Sequence, residues 1–111
     1  MARTIATPLS PKIQRSLAKL GRDIDVARKK RRLTIESLCE RAGISMPLYF
    51  RIVAGAGGTS IGAYAMVIYA LGLETPFENL VDPGADDTGL LLDEARLPKR
   101  VRNSKTRTGA L

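Results

Sequence analysis

Apolar residues recur with a helical period from residue 10 to residue 73, and each periodic stretch opens on a hydroxyl side chain. Ser10-Pro11 is a helix start, with an N-cap hydroxyl followed by proline at the first helical position, where the missing N–H costs nothing. Ile13, Leu17, Leu20, Ile24 and Ala27 follow at alternating steps of four and three, one apolar stripe of a first helix. Arg15, Lys19, Arg22 and Lys29 fall on its opposite face. Gly21 lies inside this helix, where glycine costs about 1 kcal/mol relative to alanine.

Thr34 caps a second helix, with Glu36 in the first turn complementing the helix dipole and Ile35, Leu38 and Ala42 facing inward. Gly43 stands where that helix stops in a left-handed conformation, and Ile44 plugs the corner. Ser45 caps a third helix whose first turn alone can hold Pro47; Ile52, with Leu48 or Tyr49, packs inward, and Gly55 ends the element. After the glycine-rich residues 54–59, Ser60 caps a fourth helix running to Leu71, with Ile61, Tyr64, Ile68 and Leu71 inward and Gly72 as its stop. Thr75-Pro76 repeats the cap-and-proline device before a short fifth helix over residues 77–81, which Pro83 ends.

The expected architecture is therefore all-α. A loose arm covers residues 1–9, a five-helix domain residues 10–82, and an extended or disordered tail residues 83–111. No internal repeat is evident. Hydrophobic content of 44% suffices for a core, but three Tyr and two Phe leave most packing to aliphatic side chains.

Charge adds a partner to this picture. The chain has 18 Lys and Arg against 11 Asp and Glu, net +7, and the excess comes in blocks. Residues 12–32 carry nine basic side chains against Asp23 and Asp25, and residues 96–107 carry six and no acid. Residues 74–94 carry seven acids and no base. Such blocks suit a chain that meets a polyanion at one end and something else at the other. The run Arg28-Lys29-Lys30-Arg31-Arg32 exceeds what a helix dipole requires and reads as a phosphate clamp giving salt-sensitive affinity.

Several function classes drop out. With no histidine and one cysteine, His-based acid–base chemistry and a thiolate or imidazole metal site are excluded, and Gly55, Gly57 and Gly58 follow no strand, so they are no nucleotide motif. The expectation is a protein that is not an enzyme and holds no cofactor. Cys39 reads as a small buried hydrophobe. With no bilayer-length apolar run and no apolar leader at the N-terminus, the expected location is the cytoplasm, at the nucleoid when bound to DNA.

Two helices joined by a tight turn, with this charge, are how a chain lays its second helix in the major groove. Residues 13–82 resemble the lambda-repressor-like helix–turn–helix family, of the Cro or xenobiotic-response-element type. The likeness lies in Leu33, Thr34, Ile35, Glu36, Leu38, Cys39, Glu40, Arg41, Ala42, Gly43, Ile44 and Ser45, then Arg51, Ile52 and Gly55, then Ser60 and Ile61, and finally Leu71, Gly72 and Leu73. It implies a dimer on palindromic double-stranded DNA, with Ser45, Met46, Leu48 and Arg51 facing bases. Thr34 and the loop Gly58, Thr59 and Ser60 would join the basic run on phosphates. Two departures stand out: Ile35 replaces the glutamine that often holds a phosphate, and Met46, Pro47 and Leu48 replace polar or basic residues. Specificity should then be shallow, or come from dimer spacing and DNA shape.

The segment from Thr88 to Arg102 resembles the tail of small regulators that accompany HipA-type kinases in bacterial toxin–antitoxin operons, and Ser60 to Tyr64 with Leu71 to Leu73 is similar to the same group. This implies an antitoxin that binds both its kinase and its own operator, docking through Leu90, Leu92, Leu97, Pro98, Lys99, Arg100 and Val101 as the tail orders. The competing expectation is a protein-interaction module that neutralises a partner with little or no base readout; exposure of Leu48 and Phe50 would favour it.

Overall fold

The computed structural model describes residues 8–92 and 97–102. Among the described residues four α-helices form: α1 (Pro11–Lys30), α2 (Ile35–Ala42), α3 (Met46–Val53) and α4 (Ile61–Ala70). Each opens as the hydroxyl pattern requires. Ser10, Thr34, Ser45 and Ser60 accept hydrogen bonds from the amides of Ile13, Ser37, Leu48 and Ala63 at 3.0–3.3 Å. Gly43 and Gly72 end α2 and α4 in the left-handed region, at φ 72° and 85°. No helix among the described residues is long and apolar enough to cross a membrane.

The expected fifth helix is not there. Pro76–Asn79 forms a single 3₁₀ turn instead. Only Phe77 of this stretch packs against the core, while Leu80 and Val81 are exposed. Without an apolar stripe to bury, so short a segment cannot offset the cost of nucleating a helix. Further 3₁₀ turns occupy Pro83–Ala85 and Gly89–Leu91.

The chain divides into two compact units, Met1–Phe77 and Glu78–Leu111. The core of the first unit is Ile24 from α1, Leu38, Cys39 and Ala42 from α2, Tyr49 and Ile52 from α3, Tyr64, Val67 and Ile68 from α4, and Leu71. Several residues assigned to apolar stripes are outside it: Leu17, Leu20, Ala27 and Ile35 are only partly buried. Ile13 and Ile61 fit the period, but both lie in the first turn of their helices and are about half or more exposed. Val67, not among the expected core positions, is fully enclosed. Of the arm, Pro8 is exposed and Leu9 half-buried; residues 1–7 lie outside the described residues.

Gly21 explains how α3 is seated. A Cβ there would overlap the Val53 carbonyl oxygen and stand 2.5 Å from that of Ile52. At the end of α3, a Cβ on Gly55 would stand 2.6 Å from the Ala18 amide nitrogen. Ala18 meets Gly55, Gly21 meets residues 52 and 53, and Arg28 meets Tyr49. The two helices therefore run in opposite directions, backbone close on backbone. Glycine inside α1 is a packing requirement rather than a weak point.

Candidate nucleic-acid interface

The α2–α3 corner is built from short-range bonds. The amides of Gly43 and Ile44 both donate to the Cys39 carbonyl oxygen, at 2.8 and 3.1 Å, and Ser45 then caps α3. Beneath the corner the buried Cys39 thiol approaches the Ser45 carbonyl oxygen at 3.8 Å, and burial pushes its pKa up. The thiol is a packing group here.

A polar cluster absent from the sequence reading ties α3 to α1. The Tyr49 hydroxyl, on a side chain with no exposure, donates to Asp25 Oδ1 at 2.8 Å and accepts from Arg28 Nε at 3.1 Å. Arg28 also holds Asp25 Oδ1 through Nη2 at 3.0 Å, and its Nη1 donates to the Leu33 carbonyl oxygen at 2.8 Å. One guanidinium thus joins the end of α1, the loop before α2 and the middle of α3. Burial pushes the Tyr49 hydroxyl up to about 12, and its bond to Asp25 adds to the rise. Burial alone would raise the Asp25 carboxyl as well, but hydrogen bonds from Tyr49, Arg28 and Lys29 outweigh it and hold that group below its ordinary value. The Asp25–Arg28 spacing of three was visible in the sequence; no local signal marks Tyr49 as the third member.

This cluster revises the basic run. Arg28 is turned inward, its side chain 12% exposed and Nε, Nη1 and Nη2 each engaged within the unit, which disfavours a phosphate contact. Arg31 donates to the carbonyl oxygens of Leu71 at 2.7 Å and Ala27 at 3.0 Å, closing the end of α4. Lys29 pairs with Asp25 at 3.2 Å while its side chain stays two-thirds exposed. The side chains of Lys30 and Arg32 are exposed and make no ion pair or hydrogen bond with the described residues, while the Arg32 amide donates to the Lys29 carbonyl oxygen at 3.0 Å. Arg32 is held at φ 57°, in the left-handed region that favours glycine. A further exposed cation, Arg41, lies in the last turn of α2.

On α3, the exposed arc comprises Met46, Pro47, Phe50, Arg51 and Ala54. Leu48 is not on it: it is half-buried and packs against the core on the side of Ile52, so it does not face outward with the other three base-facing candidates. Ser45 is exposed, with its oxygen engaged as the cap. Phe50, outside the base-facing set, is more than half exposed and set edge-on to Tyr49 at a centroid distance of 6.2 Å.

In the loop before α4, Gly58 is exposed and nothing lies near the position of a Cβ. Thr59 Oγ1 points inward, enclosed and without a partner among the described residues, so it does not present a donor to an outside phosphate. Ser60 is exposed and caps α4; Thr34 is exposed and caps α2. The Tyr64 hydroxyl donates to the Ala56 carbonyl oxygen at 3.2 Å, pinning the glycine-rich loop.

In the second unit, Leu90, Leu92, Leu97, Pro98, Lys99, Arg100 and Val101 are all exposed. A shallow open cavity of about 310 Å³ is lined there by Val81, Pro83, Leu90, Leu92 and Leu97 among others. The remainder of the expected tail, residues 93–96 and 103–111, lies outside the described residues. Compared with protein-family models, curated proteins and solved structures, the chain gives no significant match.

Proposed function

We propose that this chain is a sequence-specific DNA-binding repressor that acts as a dimer. The observation that carries the reading is the α2–Gly43–α3 corner, which leaves one face of α3 exposed on a unit whose free cations include Lys30, Arg32, Arg41 and Arg51. In this reading α3 enters the major groove, where Arg51 is the hydrogen-bonding group and Met46 meets a thymine methyl. Lys30, Arg32 and the backbone around Gly58 rest on phosphates, so affinity falls steeply with salt. Two such units on adjacent half-sites would occlude a promoter.

The finer part of the proposal, an antitoxin that also binds a HipA-like kinase, draws on the tail. Leu90, Leu92, Leu97 and Val101 are exposed apolar side chains beside Lys99 and Arg100, a composition suited to ordering on a partner.

One observation favours the alternative, a protein-interaction module. Met46, Pro47 and Phe50 occupy most of the exposed arc of α3 and offer no hydrogen-bonding side chain to a base. The two readings separate on Arg51→Ala. If α3 reads DNA, the variant loses about tenfold in its preference for operator over random duplex while retaining salt-dependent binding. An unchanged preference would remove α3 from the role of reading helix.

A further inference from the structure

Lys12, Arg15, Lys19 and Arg22 recur along α1 at steps of three, four and three. At about 100° per residue they share one arc of the helix, opposite the stripe of Leu20, Ile24 and Ala27 that meets the core. All four are exposed. Lys19 pairs with Asp23 at 2.6 Å on the open surface, while the side chains of Lys12, Arg15 and Arg22 make no ion pair or hydrogen bond with the described residues. The fold itself gains nothing from this row. Lys12 stands in the first turn, at the positive end of the helix dipole, where a cation is unfavourable and no acid offsets it.

The α3 reading does not use the row either. Ala18, Gly21, Asp25 and Arg28, which meet α3, lie on another flank of α1. α3 turns Tyr49 towards α1 and presents Met46, Phe50 and Arg51 on the other side. It therefore stands between α1 and any duplex that touches Phe50 and Arg51.

We infer that Lys12, Arg15, Lys19 and Arg22 form a second, sequence-independent DNA surface, holding the phosphates of a duplex segment other than the one α3 enters. The make-up of the row selects this partner. From Lys12 to Arg22 it runs about 15 Å, and a duplex presents one negative charge per roughly 1.7 Å of its axis. An acidic protein is held chiefly by buried aromatic and apolar anchors; beside this row the one large apolar side chain is Val26, 47% exposed. An anionic membrane takes up the apolar face of a helix, and that of α1 is committed to the core. A single strand stacks its bases on aromatic side chains, and α1 has none. Cations alone must supply the affinity here, as they do when a duplex releases its condensed counterions. The inference rests on the proposed function only in naming DNA rather than duplex RNA; it does not need α3 to read sequence.

The test uses the full chain bound to an immobilised duplex from upstream of its own gene, and asks whether it captures a second, fluorescent duplex of random sequence. Titrations of the random duplex against salt run alongside. The wild-type protein should capture the second duplex. Arg15→Gln combined with Arg22→Gln should abolish capture and flatten the salt dependence by about two units of slope, one per cation removed. The circular dichroism spectrum should stay the same, because both side chains are exposed and unpaired. Arg51→Ala, and Lys99→Gln combined with Arg100→Gln, should leave capture intact. Unchanged capture and slope in the Arg15 and Arg22 variant overturn the inference, as does capture lost on changing Lys99 and Arg100 instead. A wild-type protein that captures no second duplex also overturns it, since the row would then lie on the duplex that α3 enters. So does tighter binding to phosphatidylserine–phosphatidylcholine vesicles than to duplex at equal anionic charge, lost in the same variant, because the row would then serve a membrane. If α3 does not read sequence, upstream and random duplexes bind alike and Arg51→Ala changes nothing, yet the loss of slope at Arg15 and Arg22 persists. The two proposals can thus fail separately.

Discussion

The carbonyl oxygen of Val53 fills the space that any side chain on Gly21 would need. This contact fixes how closely α3 lies on α1, and it joins two residues 32 positions apart in the chain (53 − 21). Because the neighbour is backbone, no rotamer change can relieve a larger residue.

Gly21→Ala should therefore destabilise the protein despite alanine's better helix propensity. The expected loss is about 2–3 kcal/mol, from forcing the helices apart, measured as a lower urea midpoint with unchanged slope. A neutral or stabilised variant would show that α1 and α3 do not cross here.

The Tyr49 hydroxyl gives a signature in alkali. Its pKa is raised in the folded state from about 10 to about 12, so its contribution is fully present below pH 10 and is lost as the pH rises to about 12. Denaturation followed across that interval should show stability falling by roughly 2 kcal/mol. In Tyr49→Phe this part of the fall should disappear. At the acid end the sign reverses. Asp25 is depressed, so its contribution is present above its unfolded value of 3.8 and fades as the pH falls further.

Arg32 stands in a conformation that costs an ordinary residue about 1–2 kcal/mol. Arg32→Gly should relieve that strain, offset in part by glycine's greater freedom when unfolded, for a net gain of up to about 1 kcal/mol. If Arg32 also meets a phosphate, the same change weakens DNA binding and flattens its salt dependence by about one unit of slope. Thermal melting and binding titrations would then move in opposite directions. A gain in stability with unaltered binding would confine Arg32 to the turn.

The parts of this fold legible in the sequence are those held by local bonds. Each cap is a hydroxyl three residues from the amide it accepts, and Gly43 and Gly72 mark backbone that only glycine adopts readily, so all four α-helices could be placed. Burial was harder to read. Ile13 and Ile61 match the helical period as well as Ile24 does, but both stand in the first turn of their helices and stay exposed. The seating of Gly21, the inward turn of Arg28 and its meeting with Tyr49 depend on which helices touch, and no periodicity carries that information. The same limit applies to the interface. A run of five basic residues gave no sign that Arg28 and Arg31 are spent on tying α1 to the rest of its unit, with Lys30 and Arg32 left outward.

In the proposed function the exposed face of α3 reads DNA sequence. Fluorescence anisotropy of the duplex upstream of the chain's own gene, against a scrambled duplex at two salt concentrations, tests it most directly. Binding to both should weaken at the higher salt, with the preference for the upstream duplex preserved. Equal affinity for the two duplexes at both salts would contradict it, leaving only the outward cations engaged with DNA.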